Sequence, residues 1–299
     1  KQAAYRADDR FTVCGGGGLR VDLQGIDTGS GAQGRDPVAD WLAEDLSTVD
    51  VLAQGRLQVG VSSGAPNHGA LLGAHLLDGD PAQIDFSHQR VARLRHNIQG
   101  QGFGDAGNLV QSPAGEHLPR IYPHAAGLRQ RLWYGGGSLA SAEWAGRHGL
   151  HLLIGNLNRG EHSDQFFETQ LAQLQCFRQH WTAPYAARVA VGRVIVPTDS
   201  ADATSRARYQ AFADSRHART LAPQGERRVL FARDLVGSSA QILESLLVDP
   251  VLPLVNELRL ELPYNLPHED YLQILRDFTE RIAPALGWQA THHQLTVGG

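Results

Sequence analysis

The stretch with the most chemistry in it is Arg131–Gly149, RLWYGGGSLASAEWAGRHG. A short apolar segment (Leu132, Trp133, Tyr134) runs into Gly135, Gly136 and Gly137, then Ser138, then a helical pattern. Ser138 stands where a helix N-cap belongs, and Ser141 follows within the first turn. Glu143, also near the start, suits the positive end of the helix dipole. Three residues without side chains let a ligand approach the backbone. A strand, a glycine turn and a serine-capped helix start form an anion site, because unpaired N–H groups point outward there. A phosphate-bearing cofactor is the natural occupant. A strand-to-helix turn that uses glycine and serine for geometry alone is the competing reading. The stretch is neither GxGxxG nor a Walker A loop, since no lysine follows the glycines.

A second small-residue strand end lies at Arg56–Gly64. Leu57, Val59 and Val61 alternate as a strand that exits into Ser62, Ser63 and Gly64, a lining suited to a pocket and equally to an ordinary loop exit. His68 lies close by and could act as a general acid or base, or be a plain loop histidine. His292 and His293 sit in a polar tail. No HExxH, no metal-spaced His/Cys/Asp set and no GxSxG nucleophile elbow is present, so no metal site is expected. Trp133 and Tyr134 could flank a flat ring, and core packing explains them equally well. The arginines of Val91–His96 read as a solvated helix face.

The positioning elements follow from periodicity. Apolar residues Val38, Leu42, Leu46 and Val49 predict a helix over Val38–Ala53, closed by Gly55. Ala65–Asp85 reads as a loop, Phe86–Gln99 as a helix and Gly100–His117 as a glycine-rich loop. Leu150–Ile154 reads as a buried strand. Gln165–Trp181 is an amphipathic helix carrying Phe166, Leu171, Leu174 and Phe177. RVAVGRVIVP (Arg188–Pro197) is the clearest strand in the chain. Asp202–His217 is helical in composition, Thr220–Val236 reads as a connection, and Gly237–Ser238 as a turn and cap before a helix at Ala240–Leu247. Glu257–Pro263 alternates as a strand. Pro267 opens a last helix with Glu269 and Asp270 in its first turn, running to about Ile282. Strand and helix in repeated alternation imply parallel strands with crossover helices. A single α/β barrel domain over residues 1–299 is expected, with a doubly wound open sheet as runner-up. In a barrel, Ser62–Gly64 and Gly135–Ser138 would open onto the ligand-binding end of the strands.

Bulk composition narrows the partners. The 299 residues are 42% hydrophobic and 19% charged, with a net charge of −4. Nothing calls for nucleic acid or a membrane surface, and no transmembrane span or signal peptide is read. Cys14 and Cys176 make no framework, which points to a reduced, cytoplasmic setting. Lys1 is the one lysine, and methionine is absent altogether. The missing methionine leads us to expect that the sequence omits residues; an intact mass well above 32.5 kDa would bear that out.

Several of these segments, in this order, resemble one family. AEDLSTVDVLAQGRLQVGVSSG (Ala43–Gly64), DFSHQRVARL (Asp85–Leu94), RLWYGGGSLASAEWAGRHGL, ELRLELP and IAPALGW (Ile282–Trp288) are similar to segments of the bacterial luciferase-like flavin-dependent monooxygenases and oxidoreductases. The resemblance covers about residues 37–288. It implies a (β/α)8 TIM-type barrel, its N-terminal part shortened or incompletely represented, binding reduced FMN, or a deazaflavin in some branches. Carried over by position, Ser138 and Ser141 hold the flavin phosphate. Gly135, Gly136 and Gly137 form the strand end beneath the cofactor. Ser62, Ser63 and Gly64 lie beside the ring system. The implied activity is oxygenation of a small organic substrate with O2, supplied with electrons by NAD(P)H or a flavin reductase, in a homodimer. Luciferase itself has a carboxylate at the position of Gly137 and a reactive cysteine at that of Ser62, so light emission is not carried over. The family's early catalytic histidine has no counterpart in the first 36 residues, and no catalytic residue is assigned. A deazaflavin-dependent hydride transfer and a non-catalytic flavin-binding protein are the alternatives.

Overall fold

The computed structural model describes residues 20–23, 37–63, 87–102, 107, 109–113 and 115–288. The described residues form two compact units, one on either side of the Tyr134–Gly135 bond. Gly64, Asn67, His68, Cys14, His292, His293 and the Ala65–Asp85 loop lie outside the described residues.

In the first unit, strands β1 (Arg20–Leu23), β2 (Gln58–Val61) and β5 (Leu132–Gly135) are parallel neighbours, with Val21 opposite Val59 and Val61 opposite Tyr134. Helix α1 (Pro37–Leu52) lies against α2 (His88–Ile98), within a residue or two of the expected spans. Leu46 is buried, as its helical spacing predicts. The end of α1 differs in one detail. Gly55 N–H reaches Asp50 O (2.9 Å) and Gln54 N–H reaches Val51 O (3.0 Å), a Schellman pair that puts Gln54 at the left-handed C′ position (φ 54°) and Gly55 one place later (φ 75°). Buried Asp50 then ties the layers together. It accepts Leu57 N–H (3.1 Å) and Arg131 Nη2 (2.6 Å), while Arg131 Nε donates to Leu57 O (3.0 Å). Part of the expected Gly100–His117 loop is a small antiparallel hairpin, β3 (Val110–Ser112) with β4 (Gly115–His117). Its three-residue strands are too short for alternation to reveal.

The second unit is built on β8 (Val189–Pro197), nine residues all buried. β6 (His151–Ile154), β10 (Leu235–Gly237) and β11 (Glu257–Glu261) are each parallel to it. Helices α3 (Leu139–Arg147), α4 (Phe166–Gln179), α5 (Ala203–His217), α6 (Ser239–Leu247) and α7 (His268–Asp277) follow β5, β6, β8, β10 and β11, the expected strand–helix alternation. A π-turn over Phe278–Ile282 carries α7 on to the expected end. Ser87, Ser138, Asp202 and Ser238 cap α2, α3, α5 and α6, the last with a capping box to Gln241. Val194 and Val196 of β8 pack with Tyr209 of α5 and Ile274 of α7.

Two expectations need correction here. Thr220–Val236 is not a plain connection; it holds β9 (Val229–Phe231), antiparallel to β7 (Leu157–Arg159), and the start of β10. Gly237 is accordingly the last residue of a strand. The inward face of α4 is also not simply apolar. Leu174 and Phe177 are buried, but so are Thr169, Gln170 and Gln173. Among the described residues, no helix is long and apolar enough to cross a membrane.

Candidate functional site

The turn from β5 into α3 has the expected start and an unexpected occupant. Ser138 has extended N-cap geometry (φ −142°, ψ 160°). Its Oγ accepts the Ser141 N–H (3.1 Å), and its hydroxyl donates to Ser141 Oγ (2.9 Å). The structure thus brings Ser138 and Ser141 together. The first-turn amides do not all point outward unpaired, however. Leu139 N–H donates to Glu161 Oε2 at 2.7 Å, so an exposed carboxylate of the chain already sits at the positive end of α3. Ala140 is left as the first-turn residue whose N–H takes no partner among the described residues. Glu143 does not serve the helix start. It lies further along α3, paired with Arg147 at 2.6 Å on an exposed face.

Glu161 is brought there by β7, whose Arg159 N–H donates to Gly137 O (2.8 Å). From the other side Gln173 of α4 donates through Nε2 to Gly136 O (3.2 Å) and Ser138 O (3.1 Å), and Gly136 N–H donates to Leu153 O (3.1 Å). The glycine loop is therefore held rigidly by backbone and by a buried glutamine. Gly137 itself is not demanded by packing, since a Cβ there would stand 3.7 Å from Leu157 O, ordinary contact. Gln173 and Glu161 are the functional neighbours that the sequence reading missed. A glutamine in a helix and an acid in a loop carry no motif.

Ser62 and Ser63 belong to the other unit, so each group is described in its own frame. Both are half-buried after β2. Ser63 Oγ lies 2.7 Å from the Tyr134 hydroxyl, and Ser63 N–H donates to the same oxygen (3.3 Å). The His88 ring stands edge-on to Tyr134 at 5.5 Å. Trp133 is fully buried with its Nε1–H on Gln58 Oε1 (2.8 Å). Both aromatic residues are core, which decides between the two readings of them. His88 was not singled out by sequence, since it lies in a helix crowded with arginine and histidine.

Two carboxyl groups at strand ends of the second unit have opposite environments. Asp199, just past β8, accepts Ser239 N–H (2.9 Å) and Ser239 Oγ–H (2.6 Å). Burial pushes its pKa up, but these donors outweigh it and hold the group below the usual carboxylate range. Glu261 ends β11. Burial raises its pKa, and Arg259, the Asn156 backbone amide, Arg193 and Arg216 offset that only in part.

Elsewhere the chemistry is self-contained. Cys176 Sγ lies 3.8 Å from His180 Nδ1, but that nitrogen is 2.9 Å from Cys176 O, and burial together with Glu143 and Glu161 pushes the thiol pKa up, away from a nucleophile. A cleft of about 130 Å³ beside α5 is floored by Arg216, paired through two bonds (2.6 and 3.1 Å) to Asp234. Among the described residues no group of three His, Cys, Asp or Glu could hold a metal ion.

No protein-family model matches the chain, and no curated protein matches it. Solved structures do. The monooxygenase RslO1 from Streptomyces bottropensis is 17% identical, covering 83% of this chain and 74% of its own, with a TM-score of 0.53. Apo-MsnO8 is 19% identical over 92% of this chain and 78% of its own, TM-score 0.57. The oxygenating constituent of 3,6-diketocamphane monooxygenase from the CAM plasmid of Pseudomonas putida, a type II Baeyer–Villiger monooxygenase in complex with FMN, is 14% identical over 82% and 75%, TM-score 0.55. At these identities the likeness is one of fold, and it shows the expected α/β, TIM-type barrel fold class.

Proposed function

We propose, from a fold shared with the luciferase-like flavin-dependent monooxygenases, that this chain is a flavin-dependent oxidoreductase that uses reduced FMN and O2 on a small organic substrate. The observation that carries this is the rigidly held glycine–serine turn at the start of α3, in a chain with the fold of an FMN-bound monooxygenase. Ser138, Ser141 and the Ala140 amide would hold the cofactor phosphate, with Gly135, Gly136 and Gly137 as the strand end beneath it. Ser62, Ser63 and Gly64 are proposed beside the ring system. The residues fit a phosphate on one condition: the Glu161 carboxylate on Leu139 N–H has to give way, and being exposed it can swing into solvent. At Gly137 a Cβ would meet Leu157 only at ordinary contact distance, so packing within the protein does not require a glycine there.

FMN, when bound, supplies electron transfer to oxygen. The chain's part is to bind, orient and exclude water. The wider reading goes with it: one barrel domain over residues 1–299, a cytoplasmic homodimer, and a flavin reductase or NAD(P)H as electron source. A deazaflavin remains the alternative cofactor, and a non-catalytic flavin-binding protein the alternative role.

The test is an anaerobic titration with reduced FMN, repeated with the deazaflavin, on wild type and Ser138→Asp. Aspartate keeps the N-cap bond and adds a charge that repels phosphate. Wild-type binding with loss of at least tenfold in a folded Ser138→Asp variant supports the site. Binding of neither cofactor by wild type makes the turn structural. Tight binding without NAD(P)H-driven turnover favours the binding protein.

A further inference from the structure

Among the described residues, buried and largely buried carboxyl groups are partnered almost everywhere. Asp50 has Arg131 and Leu57 N–H; Asp234 has Arg216; Asp249 has Arg193; Asp270 has Ser205 and Arg208; Asp277 has Ser200 and Gln273. Glu261 is the exception. Its carboxyl makes no ion pair among the described residues; the charge of Arg259 on its own strand is the largest compensation, with the Asn156 backbone amide next. Of the other two arginines that act on it, Arg193 is committed to Asp249, Gln170 and Gly192 O, and Arg216 to Asp234. Burial outweighs all of these, so an ionised carboxyl here costs stability.

Space has nevertheless been cleared for it. A Cβ on Gly192 of β8 would stand 1.9 Å from Glu261 Oε1, and one on Gly155, just past β6, 3.6 Å away. The register fixes the height: Glu261 pairs with Val194, while the last residue of β6, Ile154, pairs with Val191. Glu261 therefore stands beyond the end of β6 and at the C-terminal end of its own strand, level with Val194 and three residues short of the end of β8. In (β/α) barrels the reacting groups come from such strand ends.

We propose that Glu261 is a catalytic residue of the site, the general acid that hands its proton to a negatively charged oxygen of the bound ligand. This rests on the flavin-oxidoreductase reading above. When O2 takes two electrons and one proton from an anionic reduced flavin, the product is HOO−. The carboxyl O–H bond breaks, the new O–H bond forms on that oxygen, and H2O2 leaves. The carboxylate left behind faces Arg259 of its own strand, Arg193 of β8 and Arg216 of α5, and is reprotonated from water. An oxyanion on an organic substrate would take the proton in the same way. Acid catalysis of this kind is worth about 10²–10⁴-fold.

The experiment follows air reoxidation of enzyme-bound reduced FMN against pH in wild type, Glu261→Gln and Glu261→Asp, after reduced-FMN affinity has been measured for each anaerobically. The expected result is a wild-type rate that falls as pH rises, a loss of about 10²-fold or more in Glu261→Gln with its pH limb gone, unchanged FMN affinity, and a slower Glu261→Asp that keeps the limb. A readout free of cofactor accompanies it. Thermal unfolding of the apoprotein should show Glu261→Gln gaining on wild type as pH rises, because ionising the native carboxyl is what costs. If wild type binds FMN and Glu261→Gln keeps its rate and limb, the role of Glu261 is overturned and the flavin reading stands. If wild type binds no flavin, both fall. If Glu261→Gln does not fold, Glu261→Asp with a lost limb overturns the proposal and a kept limb supports it.

Discussion

Asp199 and Glu261 both stand at the C-terminal ends of parallel strands, both lose water on folding, and their carboxyl groups are driven in opposite directions. The difference is the donors. Asp199 receives an N–H and an O–H from Ser239 at the start of α6, and this outweighs its burial. Glu261 receives one amide from Asn156, and burial wins. One carboxylate closes a helix start and is finished as structure. The other is stored with its proton-holding capacity unused. The comparison separates a group whose hydrogen bonds hold a helix start from one whose burial the fold leaves only partly compensated, without any recourse to motifs.

The comparison is broken most directly at Asp199. Asp199→Ala removes both acceptor bonds at α6, whose own Ser238 cap remains. The expected cost is about 1–2 kcal/mol in denaturant unfolding at pH 7. The pH signature is the sharper part. A carboxylate held below its ordinary value contributes stability above the unfolded pKa, about 3.9, and loses it as pH falls through the folded one. The gap between wild type and Asp199→Ala should therefore close on acidification. For Glu261 the sign is reversed: its cost is absent below the unfolded pKa and grows as pH rises through the raised one. Parallel behaviour of the two variants with pH would end the distinction.

A third carboxylate sharpens the same point with a smaller effect. Glu161 is exposed and accepts one N–H, from Leu139 at the start of α3. Charge at that helix end contributes about 0.3–1 kcal/mol, so Glu161→Gln should cost no more than that in stability. It should also remove the negative charge a phosphate has to displace. Reduced FMN affinity is expected to rise several-fold, most clearly at low ionic strength. Unchanged affinity at all salt concentrations would mean that Glu161 does not compete with the ligand.

What could be read from the sequence tracks the physics of each signal. Helices showed themselves through caps and spacing: Ser138 and Ser238, read as caps, do cap α3 and α6. β8 showed itself because eight of its nine residues are apolar or small, and only Arg193, buried on Asp249, interrupts the run. β7, β9 and β10 stayed hidden because three-residue strands hold too few alternations, and β9 pairs with β7 across a sequence gap whose shortest pair is Arg159 with Val229. The site was half legible. Ser138 and Ser141 are local, and their contact follows from helix geometry. Gln173, Glu161 and Glu261 reach their places through tertiary structure: a glutamine 37 residues from Gly136, an acid 22 residues from Leu139, and an acid whose fit depends on two distant glycines. No spacing in the chain carries those distances.

Gly137 gives the smallest effect and the most specific one. A Cβ on Gly192 would strike the Glu261 carboxyl, so that side chain would have to move. Gly137 has no such reason within the protein: a Cβ would meet Leu157 O at 3.7 Å and Leu157 Cδ1 at 3.8 Å. Gly137→Ala should therefore shift unfolding by less than about 0.5 kcal/mol, in the range of an uninvolved surface change. If a cofactor ring or phosphate lies against that backbone, the added methyl occupies its place, and reduced FMN affinity should drop about tenfold while the fold is unaffected. Loss of stability with affinity intact would make Gly137 a packing glycine, and its lack of a side chain would no longer mark where a ligand lies.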